Sequence, residues 1–355
     1  MYVEMKNICK QFDNFKAVDD VSFGIEQGRL AALLGPSGSG KTTILRILAG
    51  LEQQDSGDVV LEGKVINDVA ANERGIGFVF QNYALFRYMT VFDNIAFGLK
   101  VKKMDKKAIE ERVMEMISLI GLDGLEKRYP NQLSGGQRQR VAFARAIAPK
   151  PNLLLLDEPF AAIDAKVRKE LRSWLREMVR KVGVTSIFVT HDQDEAVEVA
   201  DDILIINEGR LEQMGDPKNI YKHPSTPFVA QFIGSSEIIE DLSGFKGFGE
   251  IGAGKKAIVR PEFVEAFKSD NQKFKGMMHA VESGTVEKIA FRGSYLEVTL
   301  LVNGVRLTTN RSLERRNIQI GEKMCVLLYR IYVFDENGAE IRKNELLKGI
   351  DVEAL

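Results

Sequence analysis

Cysteine is scarce: Cys9 and Cys325 are the two in 355 residues, far apart and neither in a CxxC pair. That argues against a structural disulfide and fits a reducing cytosol. No apolar run approaches the roughly 20 residues needed to span a bilayer. Met1 to Lys10 mixes polar and apolar residues and does not read as a signal peptide. Any work at a membrane is therefore expected to need another chain as anchor. An excess of charge is missing as well. The 49 basic and 50 acidic residues leave a net charge of −1, which gives no electrostatic case for nucleic acid or an anionic membrane surface. The lysine run Lys100, Lys102, Lys103, Lys106 and Lys107 is interrupted by Asp105 and reads as the solvated start of a helix. What is present is ordinary globular composition, 45% apolar and 28% charged, over a length expected to hold two domains.

The first part of the chain alternates two kinds of segment. Val3 to Ile8, Val18 to Ile25 and Arg29 to Leu34 read as strands, and Thr42 to Ala49 as a helix. Leu153 to Leu156 is an unbroken apolar run ending at an acid, as expected of a central parallel strand covered on both faces. Thr185 to Val189 and Ile203 to Ile206 are similar, with helical stretches at Ala165 to Arg180 and Asp194 to Ala200. This predicts an α/β domain with a mainly parallel sheet. After about Ser235 the pattern changes, through a glycine-rich stretch from Gly244 to Gly254. Leu296, Val298, Leu300 and Val302 then alternate, and Asn303-Gly304 offers a type I′ hairpin turn before Val305 and Leu307. Met324 to Phe334 is a further β-type run. The expected division is an α/β domain over 1–235 and an all-β domain over 236–355, with no internal repeat.

Gly35-Pro36-Ser37-Gly38-Ser39-Gly40-Lys41-Thr42 matches GxxxxGK[ST] in full, and Thr43 follows it. It sits between a buried strand and a helix, the context that the motif requires. Glycines let backbone N–H groups turn inward around phosphate oxygens, and the positive end of the following helix faces the anion. Lys41 supplies a point charge for the β- and γ-phosphates, and Thr42 a hydroxyl for Mg²⁺. A glycine-rich surface loop with a chance lysine is the bland alternative, and both flanks count against it. Leu153-Leu154-Leu155-Leu156-Asp157-Glu158 puts two carboxylates at a strand mouth, where open α/β sheets take their ligands. Asp157 is expected to hold Mg²⁺, directly or through water, and Glu158 to polarise the attacking water as general base.

Leu133-Ser134-Gly135-Gly136-Gln137 lies between these two motifs, followed by Arg138-Gln139-Arg140 and a helical stretch. A small-residue turn that presents Ser134 and N–H groups at a helix start is a second anion-binding surface. In this order and spacing the sequence closely resembles the nucleotide-binding subunits of ABC transporters. The resemblance covers nearly the whole chain and implies a P-loop ABC ATPase fold, with a mixed sheet and a helical subdomain, followed by an OB/TOBE-like β-barrel. It implies that Ser134, Gly135, Gly136 and Gln137 meet the γ-phosphate bound by a second copy, so that a homodimer encloses two ATP molecules. By the same resemblance Gln81 senses Mg²⁺ and water, next to the segment Asn82 to Asn94 that meets a membrane partner. His191 would touch the γ-phosphate, Asp164 would bridge the two copies, and Phe12 would stack on adenine, with Phe15 as a competitor. Asp164 could equally cap the following helix. Ala161 departs from the pattern, since many relatives have serine there, and one hydroxyl contact across the dimer is lost.

The tail resembles the small regulatory barrel found on importer ATPases for sulfate, molybdate, iron(III), polyamines and sugars. Val259-Arg260-Pro261-Glu262 and Phe291-Arg292-Gly293 carry that likeness. The resemblance implies a peripheral protein at the cytoplasmic face of the cell membrane, with separate permease subunits and, indirectly, a solute-binding protein. The run Phe160 to Asp164 looks most like the sulfate-type branch; iron(III), polyamine and sugar cargoes stay open. So does the tail's role, as ligand or regulator site or simply as a dimer support. Two other classes are weighed beside this one. A soluble ABC ATPase of DNA repair or ribosomes is opposed by the single cassette, the lack of sustained heptads and the balanced charge. A nucleotide-binding regulator without turnover is opposed by Glu158 and His191.

Overall fold

The computed structural model describes residues 1–161, 165–234, 236–239, 242, 244–249, 255–335 and 338–349, without the side chains of 165 and 166. Asp164 lies outside the described residues, as do Ala162 and Ile163 beside it. The chain divides into two compact units, Met1–Lys218 and Asn219–Leu355.

The first unit opens with a hairpin of β1 (Val3–Phe12) and β2 (Phe15–Ile25), followed by β3 (Leu30–Leu34) and α1 (Lys41–Ala49). Next come β4 (Ser56–Leu61), β5 (Lys64–Val65) and β6 (Ile76–Val79). Three helices follow, α2 (Val91–Val101), α3 (Lys106–Leu119) and α4 (Gly135–Ile147). The unit continues with β7 (Leu153–Asp157), α5 (Ala165–Val182), β8 (Thr185–Thr190), α6 (Gln193–Val199), β9 (Asp202–Asn207) and β10 (Arg210–Gly215). Two sheets result: an antiparallel one in the order β2-β1-β4-β5, and a six-stranded one in the order β10-β9-β3-β8-β7-β6. The second is parallel throughout except for β10, which pairs antiparallel to β9. The mainly parallel sheet read from the sequence is therefore present; the separate antiparallel sheet is an addition that the sequence reading did not resolve.

Helix α1 buries Ile44, Leu45, Ile47 and Leu48 in a core shared with side chains of β1, β2, β3, β7 and β8. Each such side chain contributes about 1.5–3 kcal/mol. The four leucines of β7 are buried, as a strand covered on both faces requires. Helices α2, α3 and α4 pack on one another and form the helical subdomain. The lysine run is a helix start only in part: Lys100 lies in the last turn of α2 and Lys102 at its end, whereas α3 begins at Lys106, with the Asp105 side chain accepting the Lys107 N–H as its cap.

The second unit takes in α7 (Pro217–Lys222), which spans the boundary, and α8 (Pro227–Phe232). The division expected from the sequence, at residue 235, places these residues with the first domain. Their partners are in the second unit. Tyr221 Oη donates to Glu262 at 2.6 Å, Tyr332 Oη donates to the Lys222 carbonyl at 2.9 Å, and α8 packs on strand 256–259. The strands among the described residues here are β11 (Glu237–Ile239), β12 (Lys256–Val259), β13 (Val264–Phe267), β14 (Glu282–Phe291), β15 (Tyr295–Val302), β16 (Val305–Ser312), β17 (Lys323–Leu328), β18 (Arg330–Asp335) and β19 (Gly338–Lys343). They form antiparallel sheets in the orders β11-β12-β18-β19 and β13-β17-β14-β15-β16. The second sheet nearly closes: Thr309 and Arg311 of β16 donate to the Val264 and Ala266 carbonyls of β13. This is the expected OB/TOBE-like barrel.

The β15–β16 hairpin turns at Asn303 and Gly304, both with positive φ (49° and 83°), as type I′ demands. The run Met324 to Phe334 is two strands in different sheets. Tyr329 breaks it by donating its N–H to the Phe263 carbonyl and accepting from Asn344 N–H.

Candidate functional site

β3 delivers the chain into the phosphate loop, and α1 begins inside it. Gly35 cannot carry a Cβ, because it would run into the Ile206 carbonyl of β9. Gly40 caps α1 at φ 97°, and a Cβ there would meet the Ala17 carbonyl of β2. Both glycines are thus needed for close backbone approach as well as for turning. Lys41 is buried, with its Nζ donating to the carbonyls of Gly35 (2.9 Å) and Pro36 (2.6 Å) and to Ser39 Oγ (3.3 Å). Burial pushes its ammonium below the usual lysine range, partly offset by the charges of Glu158 and Asp157.

Thr42 Oγ1 donates to Asp157 Oδ1 at 3.2 Å. Burial pushes the Asp157 carboxyl above the usual range, opposed by the Thr42 hydrogen bond. Glu158 follows in a left-handed conformation, φ 42°, which costs a non-glycine residue about 1–3 kcal/mol. Its carboxylate is held between two groups from other strands. Gln81 Nε2 donates to Oε2 at 2.9 Å, and His191 Nδ1 lies 3.3 Å from Oε1.

Strand register brings them together. Val79 pairs with Leu156 and Asp157 with Val189, so β6, β7 and β8 end side by side. Gln81, Glu158 and His191 follow those ends. Lys41, Thr42, Asp157, Glu158, Gln81 and His191 therefore form one cluster.

Ser134 caps α4 reciprocally with Gln137. Gln137 N–H donates to Ser134 Oγ at 3.2 Å, and Ser134 N–H to Gln137 Oε1 at 2.9 Å. Ser134 is exposed. Phe12 is 42% exposed at the end of β1 and pairs with Phe15 across the hairpin. Lys10 Nζ sits 5.1 Å from the Phe12 ring centroid.

Sequence reading passed over Arg145 near the end of α4. Its guanidinium donates to the carbonyls of Ala84 (2.7 Å) and Tyr83 (2.8 Å), two residues with positive φ, just beyond Gln81. Buried Asn94 ties down the next stretch. It accepts from Phe86 N–H and donates to the Phe86, Met89 and Thr90 carbonyls. The only sequence signal for Arg145 was a basic residue in the last turn of a helix, and that alone does not name a partner.

The Asp157 geometry carries a prediction. An acid that binds its proton more tightly in the fold than in the unfolded chain stabilises the fold at low pH. That contribution is lost as pH rises through the raised value, so ionised Asp157 opposes folding at neutral pH. Asp157→Asn keeps an oxygen for Thr42. It is expected to raise the melting temperature of the nucleotide-free protein at neutral pH, to give no gain in acid, and to depress ATP hydrolysis. Calorimetry at the two pH values checks the first two.

Residues 18–161 match the family described as ABC transporter. The chain belongs to this family, as one of its ATP-binding subunits, and is an ATPase. It is 52% identical over 266 residues to the sulfate/thiosulfate import ATP-binding protein CysA of Bacillus cereus, a match covering 74% of each chain. To the protein of the same name from Synechocystis sp. it is 46% identical over 309 residues, 85% of each chain. Among solved structures it resembles a dimeric post-hydrolysis state of the ATP-binding cassette MJ0796 bound to ADP and Pi. That likeness has a TM-score of 0.54 and 32% identity, and covers 60% of this chain and 98% of that one.

Proposed function

We propose that two copies of this protein close head to tail around two ATP molecules and drive import of a sulfate-like oxyanion through separate membrane-spanning subunits. The observation that carries the hydrolytic part is the grip of Gln81 and His191 on Glu158, beside the Thr42–Asp157 pair. The names of the curated relatives support the cargo. Among the described residues no helix is long and apolar enough to cross a membrane; in this proposal the protein sits at the cytoplasmic face and the transport path lies in the membrane-spanning partners. A solute-binding protein would deliver cargo to them.

Lys41 leaves its loop carbonyls for the β- and γ-phosphates, while the loop from Gly35 to Thr43 presents N–H groups. The donor set suits Mg²⁺: Thr42 and Asp157 offer hard oxygens side by side, with Gln81 nearby. Asp157 is a buried carboxylate whose ionised form a cation would favour. Bound there with ATP, Mg²⁺ would supply charge neutralisation at the phosphates. Glu158 takes the proton of the attacking water, while Gln81 and His191 orient its carboxylate. Ser134 and the α4 start of the partner copy cap the γ-phosphate, Asp164 bridges the copies, and Phe12 stacks on the base. Ala161 leaves that bridge without one hydroxyl.

A cavity of about 790 Å³ has Asn82, Tyr83, Tyr88, Tyr129 and Arg138 in its lining. Tyr88 is 97% exposed. This is where the membrane subunit would dock. Arg145 ties the loop after Gln81 to α4, so docking would be felt by both the water-sensing and the γ-phosphate-capping elements.

Reconstitution with the membrane subunits tests the reading. ATP-dependent uptake of sulfate or thiosulfate is expected. Uptake of iron(III), a polyamine or a sugar with none of sulfate would overturn the cargo, and phosphate release uncoupled from any uptake would overturn the transport role.

A further inference from the structure

Thr190 is the last residue of β8 and the one before His191. It is 1% exposed. Its hydroxyl donates to Glu195 Oε2 at 2.5 Å and accepts the Asp192 N–H at 3.0 Å. Asp192 in turn caps α6 by accepting the Glu195 N–H at 3.1 Å. The residues on both sides of His191 are therefore tied to Glu195, which is itself only 5% exposed. Behind it stands Arg172 of α5. Its Nη2 lies 3.5 Å from Glu195 Oε1 and 3.3 Å from Asp192 Oδ2, and its Nη1 3.4 Å from Glu198 Oε2. One polar chain thus runs from α5 through Arg172, Glu195 and Thr190 to the histidine that faces Glu158.

Burying a carboxylate costs several kcal/mol, and apolar residues of similar volume are often as stable or more so. Filling the space under α6 does not call for a carboxylate. A threonine hydroxyl fixed by one donor and one acceptor does call for one, and the peptide it fixes carries His191. A group within bonding reach of a general base must be held to within about half an ångström to be of use, and backbone on both sides of His191 is where that restraint acts.

We infer that Thr190 and Glu195, backed by Arg172, are positioning residues that hold the His191 imidazole against Glu158. This rests on the reading of His191 and Glu158 as parts of the hydrolytic site.

The test compares Thr190→Val, which keeps the shape and removes the hydroxyl, with Thr190→Ser, which keeps the hydroxyl, and with Glu195→Leu and His191→Ala. Steady-state ATP turnover of the full chain and thermal melting are recorded for each. Thr190→Val should lower kcat on the order of 10- to 100-fold, the scale of an ångström-level misplacement. KM for ATP should stay near its wild-type value, and Thr190→Ser should restore most of kcat. Wild-type kcat in Thr190→Val, a loss carried by KM, or a loss that serine does not restore would each overturn the inference. Should the valine variant fail to fold, Glu195→Leu, which removes the acceptor of the Thr190 hydroxyl, decides: a lowered kcat in a folded protein supports the inference, and wild-type kcat overturns it. His191→Ala separates the two levels. If it turns over like wild type, the role of His191 is wrong; if it is inactive while Thr190→Val is normal, only the positioning network is wrong.

Discussion

Glu158→Gln is expected to lower steady-state ATP turnover by roughly 10²–10⁴-fold, the usual contribution of a general base, while ATP binding persists and a nucleotide-bound dimer accumulates. The substitution keeps the length of the side chain and an oxygen for Gln81 Nε2, which donates to Glu158 at 2.9 Å. What disappears is the capacity to take a proton. Ground-state contacts that close the dimer are retained, so the closed form should outlive its wild-type counterpart. Phosphate release gives the first quantity, and size-exclusion chromatography with and without ATP gives the second. Near-wild-type turnover would remove Glu158 from the role of base. The left-handed backbone at Glu158 (φ 42°) supports the assignment from another direction, because strain of this kind persists where surrounding structure enforces a functional geometry.

Lys41→Ala is expected to remove most nucleotide binding and more than about 100-fold of the hydrolysis. A lost charge-assisted bond to phosphate is worth about 1.5–3 kcal/mol for each hydrogen bond, and Lys41 has three donors. In the present structure these are satisfied by Gly35 O, Pro36 O and Ser39 Oγ. The ammonium is thus held in the loop and desolvated, and no carboxylate among the described residues is bonded to it. A triphosphate supplies the missing counter-charge, so binding gains at a point where the solvation cost has already been met. The measurement is thermal shift. A ligand at 100 times its Kd stabilises a protein by about 2.7 kcal/mol. The wild type should show a rise in melting temperature with Mg·ATP that Lys41→Ala lacks, both being folded by circular dichroism. An equal rise in both proteins would exclude Lys41 from phosphate binding.

Three parts of the site could be read from single stretches of sequence. Gly35 to Thr42, Ser134 to Gln137 and Leu153 to Glu158 each act through their own backbone: a turn needing glycine, a reciprocal cap at a helix start, an apolar strand ending in acids. The interactions that define them span a few residues, so spacing alone displays them. Gln81 and His191 were legible only through family resemblance, because a glutamine or histidine after a strand has no local signature of its task. Thr190, Glu195 and Arg145 were passed over for the same reason. The hydroxyl, carboxylate and guanidinium each work through a partner on another element, and the distance in sequence between Arg145 and its Tyr83 and Ala84 carbonyls hides the pair.

Sequence by itself displayed the parts: a complete GxxxxGK[ST] loop, a pair of strand-end acids, a small-residue helix start at Ser134 and a β-rich tail. Tertiary structure decided which of these meet. The order β8-β7-β6 and its parallel register bring three strand ends side by side and so put Gln81, Glu158 and His191 within bonding distance. It also decided that Met324 to Phe334 serves two sheets, and that α7 and α8 pack with the barrel although the division expected from the sequence places them with the preceding domain. The physical reason is common to all of these. Local propensity fixes what an element is, but hydrogen-bonded strand order and side-chain packing fix its neighbours, and those are relations between segments that no single segment encodes.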